Sequence, residues 1–221
     1  MHGVFFFYVD DIASRASLEQ FQHITLVGGK QPPGPLAHLQ SVLGNLYTYW
    51  DPICANFMVS AAMEFISATA LEVRPEIVCM DIHPSSIGWP RYLRTKSGMA
   101  SGFSCAAFPH VAHPDITTYI QALPEIEEYL CLVNDILSFY KEDLAGETMN
   151  YVSVRAKVSG TQAKRVLVEM VEEVADLHRR IAEILKGNPD ALAAWETLEH
   201  GFIAWHLSLE RYKLSELGCF W

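Results

Sequence analysis

The 221-residue sequence has no run of basic residues able to neutralise a row of phosphates, and its 16 Lys and Arg against 26 Asp and Glu leave a formal charge of −10. That excludes nucleic acid as a partner, because such binding rests largely on cations that displace counterions from the phosphate backbone. The imbalance sits mainly in the second half: residues 1–110 carry 6 basic and 8 acidic side chains, residues 111–221 carry 10 and 18. Paired cysteines are missing too. Cys54, Cys79, Cys105, Cys131 and Cys219 lie far apart, with no CxxC and no Cys/His cluster; this argues against a disulfide scaffold or zinc site and for single thiols in a reducing compartment. Asn-Gly and Asp-Gly hairpin turns are absent, and sustained period-two alternation is scarce. The opening Met1-His2-Gly3-Val4-Phe5-Phe6-Phe7 lacks the basic region and cleavage site of a signal peptide. The most apolar stretch, residues 53–71, is interrupted by Asn56 and Glu64 and reads as a core helix rather than a membrane span. A soluble, cytoplasmic protein without a membrane partner is the expectation.

What is present is apolar surface. Half of the residues are hydrophobic and 19% are charged, which predicts one domain, residues 1–221, with a sizeable core. Helical periodicity places segments near 4–14, 17–27, 35–49, 52–71, 89–107, 116–122, 124–143, 150–158, 161–186 and 189–216. Breakers separate them at Gly28-Gly29, Pro32-Pro33-Gly34-Pro35, Asp51-Pro52, Pro109, Pro114, Gly146, Gly160 and Gly187-Asn188-Pro189. Thr161 and Asn188 suit N-caps and Pro189 a first helical position. The fold class is all-α, a helical bundle.

The segment 124–143 carries the most chemistry. At 100° per residue, Ser138 lies about 40° from Asn134, Glu142 about 80° and Lys141 about −20°. An amide, a hydroxyl, a carboxylate and an ammonium therefore share one strip, with Leu130, Val133, Ile136, Leu137 and Tyr140 on the other side. Hard oxygen donors of this kind suit Mg²⁺, which keeps several waters and often binds phosphate. A solvated helix face shows the same pattern, so spacing alone leaves both readings open. Near the start, Asp10 and Asp11 follow a very apolar run; adjacent helical residues diverge by about 100°, and a simple helix-end charge pair explains them as well.

The residue identities add a resemblance. Asn134-Asp135-x-x-Ser138-x-x-x-Glu142, within Val133-Asn134-Asp135-Ile136-Leu137-Ser138-Phe139-Tyr140-Lys141-Glu142, resembles the second metal motif of class I terpene cyclases, and of the fungal trichodiene-synthase family in particular. The resemblance implies a class I helical bundle around an apolar cavity. It also implies that Asn134, Ser138 and Glu142 bind Mg²⁺ while Lys141 contacts a substrate diphosphate. Asp135 belongs to the motif without being assigned as a ligand. Asp10 maps onto the leading aspartate of the family's first, acid-rich motif, although Ala13 and Ser14 stand where further acids are usual. Arg94-Thr95-Lys96-Ser97-Gly98 resembles the family's diphosphate-sensing segment, with Arg94 the sensor, Ser97 the linker and a helix break at Gly98; Arg91 is the alternative one turn away. Trp205-His206-Leu207-Ser208-Leu209-Glu210-Arg211-Tyr212 resembles its closing basic segment, which assigns Arg211 and Tyr212 to diphosphate.

The implied activity is Mg²⁺-dependent ionisation of farnesyl diphosphate, with about three ions, followed by cyclisation of the allylic cation and release of diphosphate. Phe57, Phe65 and Trp205 are candidates for cation–π stabilisation, and equally for ordinary core. A chain-elongating prenyltransferase would present two aspartate-rich motifs, which this sequence does not. The family is longer at its N-terminus, so the alternative is a shortened, inactive homologue that binds isoprenoids. A homodimer is the assembly the resemblance implies.

Overall fold

The computed structural model describes Val9 and residues 13–218, and these contain helices but no strand. Asp10, Asp11 and Cys219 lie outside the described residues. Among residues 13–218 there are, in order, the α-helices α1 Arg15–Leu26, α2 Pro35–Tyr49, α3 Pro52–Glu72, α4 Pro75–Val78, α5 Trp89–Ser97, α6 Ala100–Ala106, α7 Leu123–Leu144, α8 Tyr151–Ser159, α9 Ala163–Leu185 and α10 Pro189–Ser208. Local chemistry explains most of the boundaries. The Ser14 hydroxyl accepts from the Ser17 amide to open α1; Asp51 accepts from Ile53 N at 2.8 Å to open α3, with Pro52 at its first position; Asn150 does the same for α8. These caps satisfy amides that the first turn leaves without a helical partner. Gly160 ends α8 at φ 63°, a left-handed position where glycine carries no Cβ penalty.

Helix α7 is the hub, packed by α6, α8, α9, α10 and the short 3-10 turn Glu210–Tyr212. Helix α3 forms the next layer, contacted by α1, α2, α5 and α6. It buries Cys54, Ala55, Met58, Ala61, Ala62, Phe65 and Ile66, and the small residues in that stripe let neighbouring helices approach. By length and composition α3 could cross a bilayer; here half of its apolar window is buried against other helices. Helix α9 turns Val166, Met170, Leu177, Ile181 and Leu185 inward at the spacing of an amphipathic helix. Trp195 of α10 is fully buried, edge-on to Tyr129 of α7 at 4.9 Å between ring centroids.

Besides the unexpected short α4, the structure departs from the expected helices most at the following places. The segment 89–107 is two helices, broken between Ser97 and Ala100. The stretch 116–122 forms two 3-10 turns rather than an α-helix. The last helix stops at Ser208, where Leu209 becomes extended and Glu210–Tyr212 folds back as a 3-10 turn. No Gly or Pro stands at that stop; packing of Tyr212 against α10 and α7 overrides local helical preference.

Ile126 is fully buried in the core whereas Val168 is half exposed. Urea unfolding is expected to show Ile126→Ala losing about 2–5 kcal/mol and Val168→Ala changing by no more than about 0.5 kcal/mol.

Candidate functional site

The polar strip on α7 faces inward. Ser138 is 2% exposed and Asp135 7%, and Asn134, Lys141 and Glu142 are half-buried. Ile136, Leu137 and Tyr140, on the apolar side, are only half-buried themselves. A solvated face is therefore ruled out for this strip, and its burial requires that the polar groups find partners.

Arg94 of α5 supplies the main one. Its Nε donates to Asp135 Oδ2 at 2.9 Å and lies 2.7 Å from Oδ1; its Nη2 donates to Asn134 Oδ1 at 2.8 Å and to the Cys131 carbonyl at 3.4 Å. Both charged side chains of the ion pair are largely hidden from solvent, at 16% and 10% exposure. Burial lifts the Asp135 carboxyl to about 6 against the pull of the adjacent guanidinium, so at neutral pH the pair is ionised. Arg91, the alternative sensor, instead pairs with Glu128 on an exposed surface. Arg94 is the arginine that reaches the strip.

The break after α5 is what places Arg94. Gly98 donates to the Arg94 carbonyl, and a Cβ at Gly98 would lie 2.8 Å from that oxygen, 2.8 Å from Cys131 Sγ and 3.0 Å from Arg94 Nη1. Glycine is needed there for close approach; the left-handed residue of the turn is Met99, at φ 49°.

On the other flank stands His206 of α10, to which the sequence motifs assign no role. Its Nε2 lies 2.9 Å from Asn134 Nδ2 and its Nδ1 2.7 Å from the Phe202 carbonyl. Burial, together with the charge of Arg94 and against the bond to Phe202, lowers its pKa to about 4. Tyr212 is buried with its ring 4.6 Å from that of His206, and the turn carrying Arg211 and Tyr212 packs on α7. Trp205 is 37% exposed and edge-on to His206 and Tyr212. Of the other aromatic candidates, Phe65 is core and Phe57 is 43% exposed, outside the buried stripe of α3. The sequence signal for His206 is only a lone His in an apolar helical segment, and that is weak.

The strip fits a hard cation in one specific respect. Ser138 Oγ is buried and makes no hydrogen bond, although a buried hydroxyl ordinarily finds a partner. Glu142 lies one turn further on, its Oε1 3.3 Å from Lys141 Nζ. Among the described residues no group of three or more His, Cys, Asp and Glu side chains could hold an ion, so the described strip offers the amide and hydroxyl oxygens of Asn134 and Ser138 beside the Glu142 carboxylate. Asp10 lies outside the described residues. A separate cleft of about 770 Å³ opens between α5, α7, α8 and α9. Arg91, Glu128, Arg155, Glu173 and Arg180 line it, which differs in character from the apolar cavity expected.

A sequence profile of the trichodiene synthase (TRI5) family matches residues 3–218. The chain is similar to terpene synthase BipA of Cochliobolus sativus, 33% identical over 207 residues that cover 93% of this chain and 64% of that protein. It is 29% identical to longiborneol synthase CLM1 of Gibberella zeae over 95% of this chain and 61% of the relative. With alpha-cuprenene synthase COP6 of Coprinopsis cinerea it shares 37% over 165 residues, 74% of this chain and 49% of that one. The chain thus spans less than two thirds of the length of these relatives.

Asp135→Asn strips the buried Arg94 of its counter-charge, and chemical denaturation is expected to register a loss of about 3–5 kcal/mol. His206 has a folded pKa below its unfolded value of 6.5. Its contribution to stability is therefore present above the unfolded pKa and is lost as pH falls toward about 4. In metal-free buffer, wild type should lose about 2–3 kcal/mol more than His206→Phe between pH 7 and pH 4.5; parallel losses would show that His206 is not held neutral.

Proposed function

The chain belongs to the trichodiene synthase family, and on that premise we propose that it is a Mg²⁺-dependent sesquiterpene cyclase acting on farnesyl diphosphate. The observation that carries the reading is the inward strip of α7, where Ser138 Oγ is buried without a hydrogen bond between Asn134 and Glu142. An amide oxygen, a hydroxyl and a carboxylate at this spacing are the donor set that Mg²⁺ takes while leaving positions for phosphate oxygens. Asn134, Ser138 and Glu142 would hold one ion, and Asp10 would hold others. When bound, Mg²⁺ supplies Lewis-acid stabilisation of charge on the leaving diphosphate.

The chain's own residues do the rest. Lys141, on the same strip as the ligands, meets diphosphate as a point charge once it leaves Glu142. Arg94 reaches the strip from α5, and its fork suits two phosphate oxygens as well as it suits Asp135 and Asn134. Arg211 and Tyr212 approach α7 from the folded-back turn and are assigned to the same anion. Four donors from three directions would hold the leaving group in place while the allylic cation forms, which is where preorganised charge has most effect. The relatives' names, longiborneol synthase and alpha-cuprenene synthase, favour a cyclic terpenoid product.

Incubation with farnesyl diphosphate and Mg²⁺ is expected to give a cyclic hydrocarbon or alcohol by gas chromatography, together with stoichiometric diphosphate. Asn134→Ala and Glu142→Ala should abolish turnover with helicity retained. Near-wild-type rates in both variants would remove the metal assignment. A folded sample that releases neither product nor diphosphate would favour isoprenoid binding without turnover.

A further inference from the structure

The hydrogen bonds around Asn134 can be read in only one direction. Arg94 is a pure donor, so the Asn134 atom 2.8 Å from its Nη2 is the amide oxygen. The atom 2.9 Å from His206 Nε2 is then the amide nitrogen, also a donor. Nε2 must therefore accept, which leaves the ring proton on Nδ1. That proton has its acceptor in place, the Phe202 carbonyl at 2.7 Å one turn back on α10. From Arg94 to Phe202 every bond has a matched donor and acceptor. The opposite tautomer would set two donors face to face at Asn134. An amide flip would move the clash to the guanidinium.

We propose that His206 is a positioning residue, which orients the Asn134 side-chain amide so that its oxygen rather than its nitrogen is presented on the α7 strip. The ring is fixed for that task. It is fully buried, and the rings of Phe202, Trp205 and Tyr212 stand 4.5, 4.8 and 4.6 Å away. Tyr212 thereby acts on Asn134 indirectly, as one wall of the His206 cage. An amide offers a hard cation only its oxygen, so orientation decides whether Asn134 is a ligand at all. Groups that orient a ligand in this way alter metal affinity by about 10–100-fold when removed.

The inference rests on Asn134 as a metal ligand, and its test separates the two ideas. Mg²⁺ is titrated against a fixed concentration of inorganic pyrophosphate, and the rise in melting temperature is followed for wild type, Asn134→Ala, His206→Phe and His206→Gln. Phe keeps the ring and removes the acceptor; the Gln Oε1 replaces it near the Nε2 position. Asn134→Ala and His206→Phe should each raise the Mg²⁺ midpoint about tenfold or more, with His206→Gln close to wild type. If Asn134→Ala shifts the midpoint and His206→Phe does not, the positioning role fails alone. If Asn134→Ala leaves it unmoved, the metal reading fails and this inference with it. Equal damage by Gln and Phe would also overturn the acceptor role. Nitrogen-15 NMR of histidine-labelled wild type needs no variant: a proton on Nδ1 of His206 is expected, and one on Nε2 would refute the proposal.

Discussion

The buried pair between Arg94 and Asp135 is the constraint on which the surrounding architecture depends. A guanidinium and a carboxylate taken from water each cost several kcal/mol, and only close contact with full hydrogen bonding offsets that. Here the two side chains come from different helices, α5 and α7. Just past the end of α5 the chain passes close to Cys131 of α7, where Gly98 leaves no Cβ to collide with the sulfur. The helix break thus falls just after the residue that turns into the strip, and the ion pair and the break occur together.

The same pair explains why α7 is amphipathic in an unusual sense. Its polar strip is at least as buried as parts of its apolar side, because Arg94 and His206 bring donors and an acceptor to it from both flanks. A polar row between two helices that each supply matched groups stabilises one register of the bundle over its neighbours: a slip of one turn along α5 or α10 would leave a charge or an amide without its partner. The apolar core, centred on Ile126, Ile66, Trp195 and Leu177, supplies the bulk driving force and has no comparable preference for register.

Much of the fold was legible in the sequence because helix ends are encoded locally. Pro35, Pro52 and Pro189 stand at first helical positions, as their fixed φ predicts. Spacing also put Asn134, Ser138, Lys141 and Glu142 on one face. What spacing lacked was the direction of that face, which depends on what packs against it. Asn134 and Ser138 look alike on a wet helix and a buried one. The partners that decide the matter are about 40 residues away in Arg94 and about 70 away in His206. Thr161 was an N-cap by residue type, but the helix begins after Gln162 without a side-chain cap; a weak local signal was overruled there.

The fold-back after Ser208 belongs to the same physical account. Extending α10 to residue 216 would satisfy more helical hydrogen bonds, and nothing in 209–216 forbids it by composition. The chain instead leaves the helix at Leu209, takes Lys213 through a left-handed turn at φ 54°, and sets Tyr212 against His206. Left-handed geometry costs a lysine about 1–2 kcal/mol, so the compensation has to come from tertiary contact. Burial of the Tyr212 ring supplies it, and the bond from Tyr140 of α7 to Glu216 secures the far side of the turn. The turn therefore closes the cage around His206, and through His206 it reaches the amide of Asn134. The assigned Arg211 and Tyr212 arrive at α7 by that route: the segment's position is set by packing on a histidine, whichever anion its arginine meets.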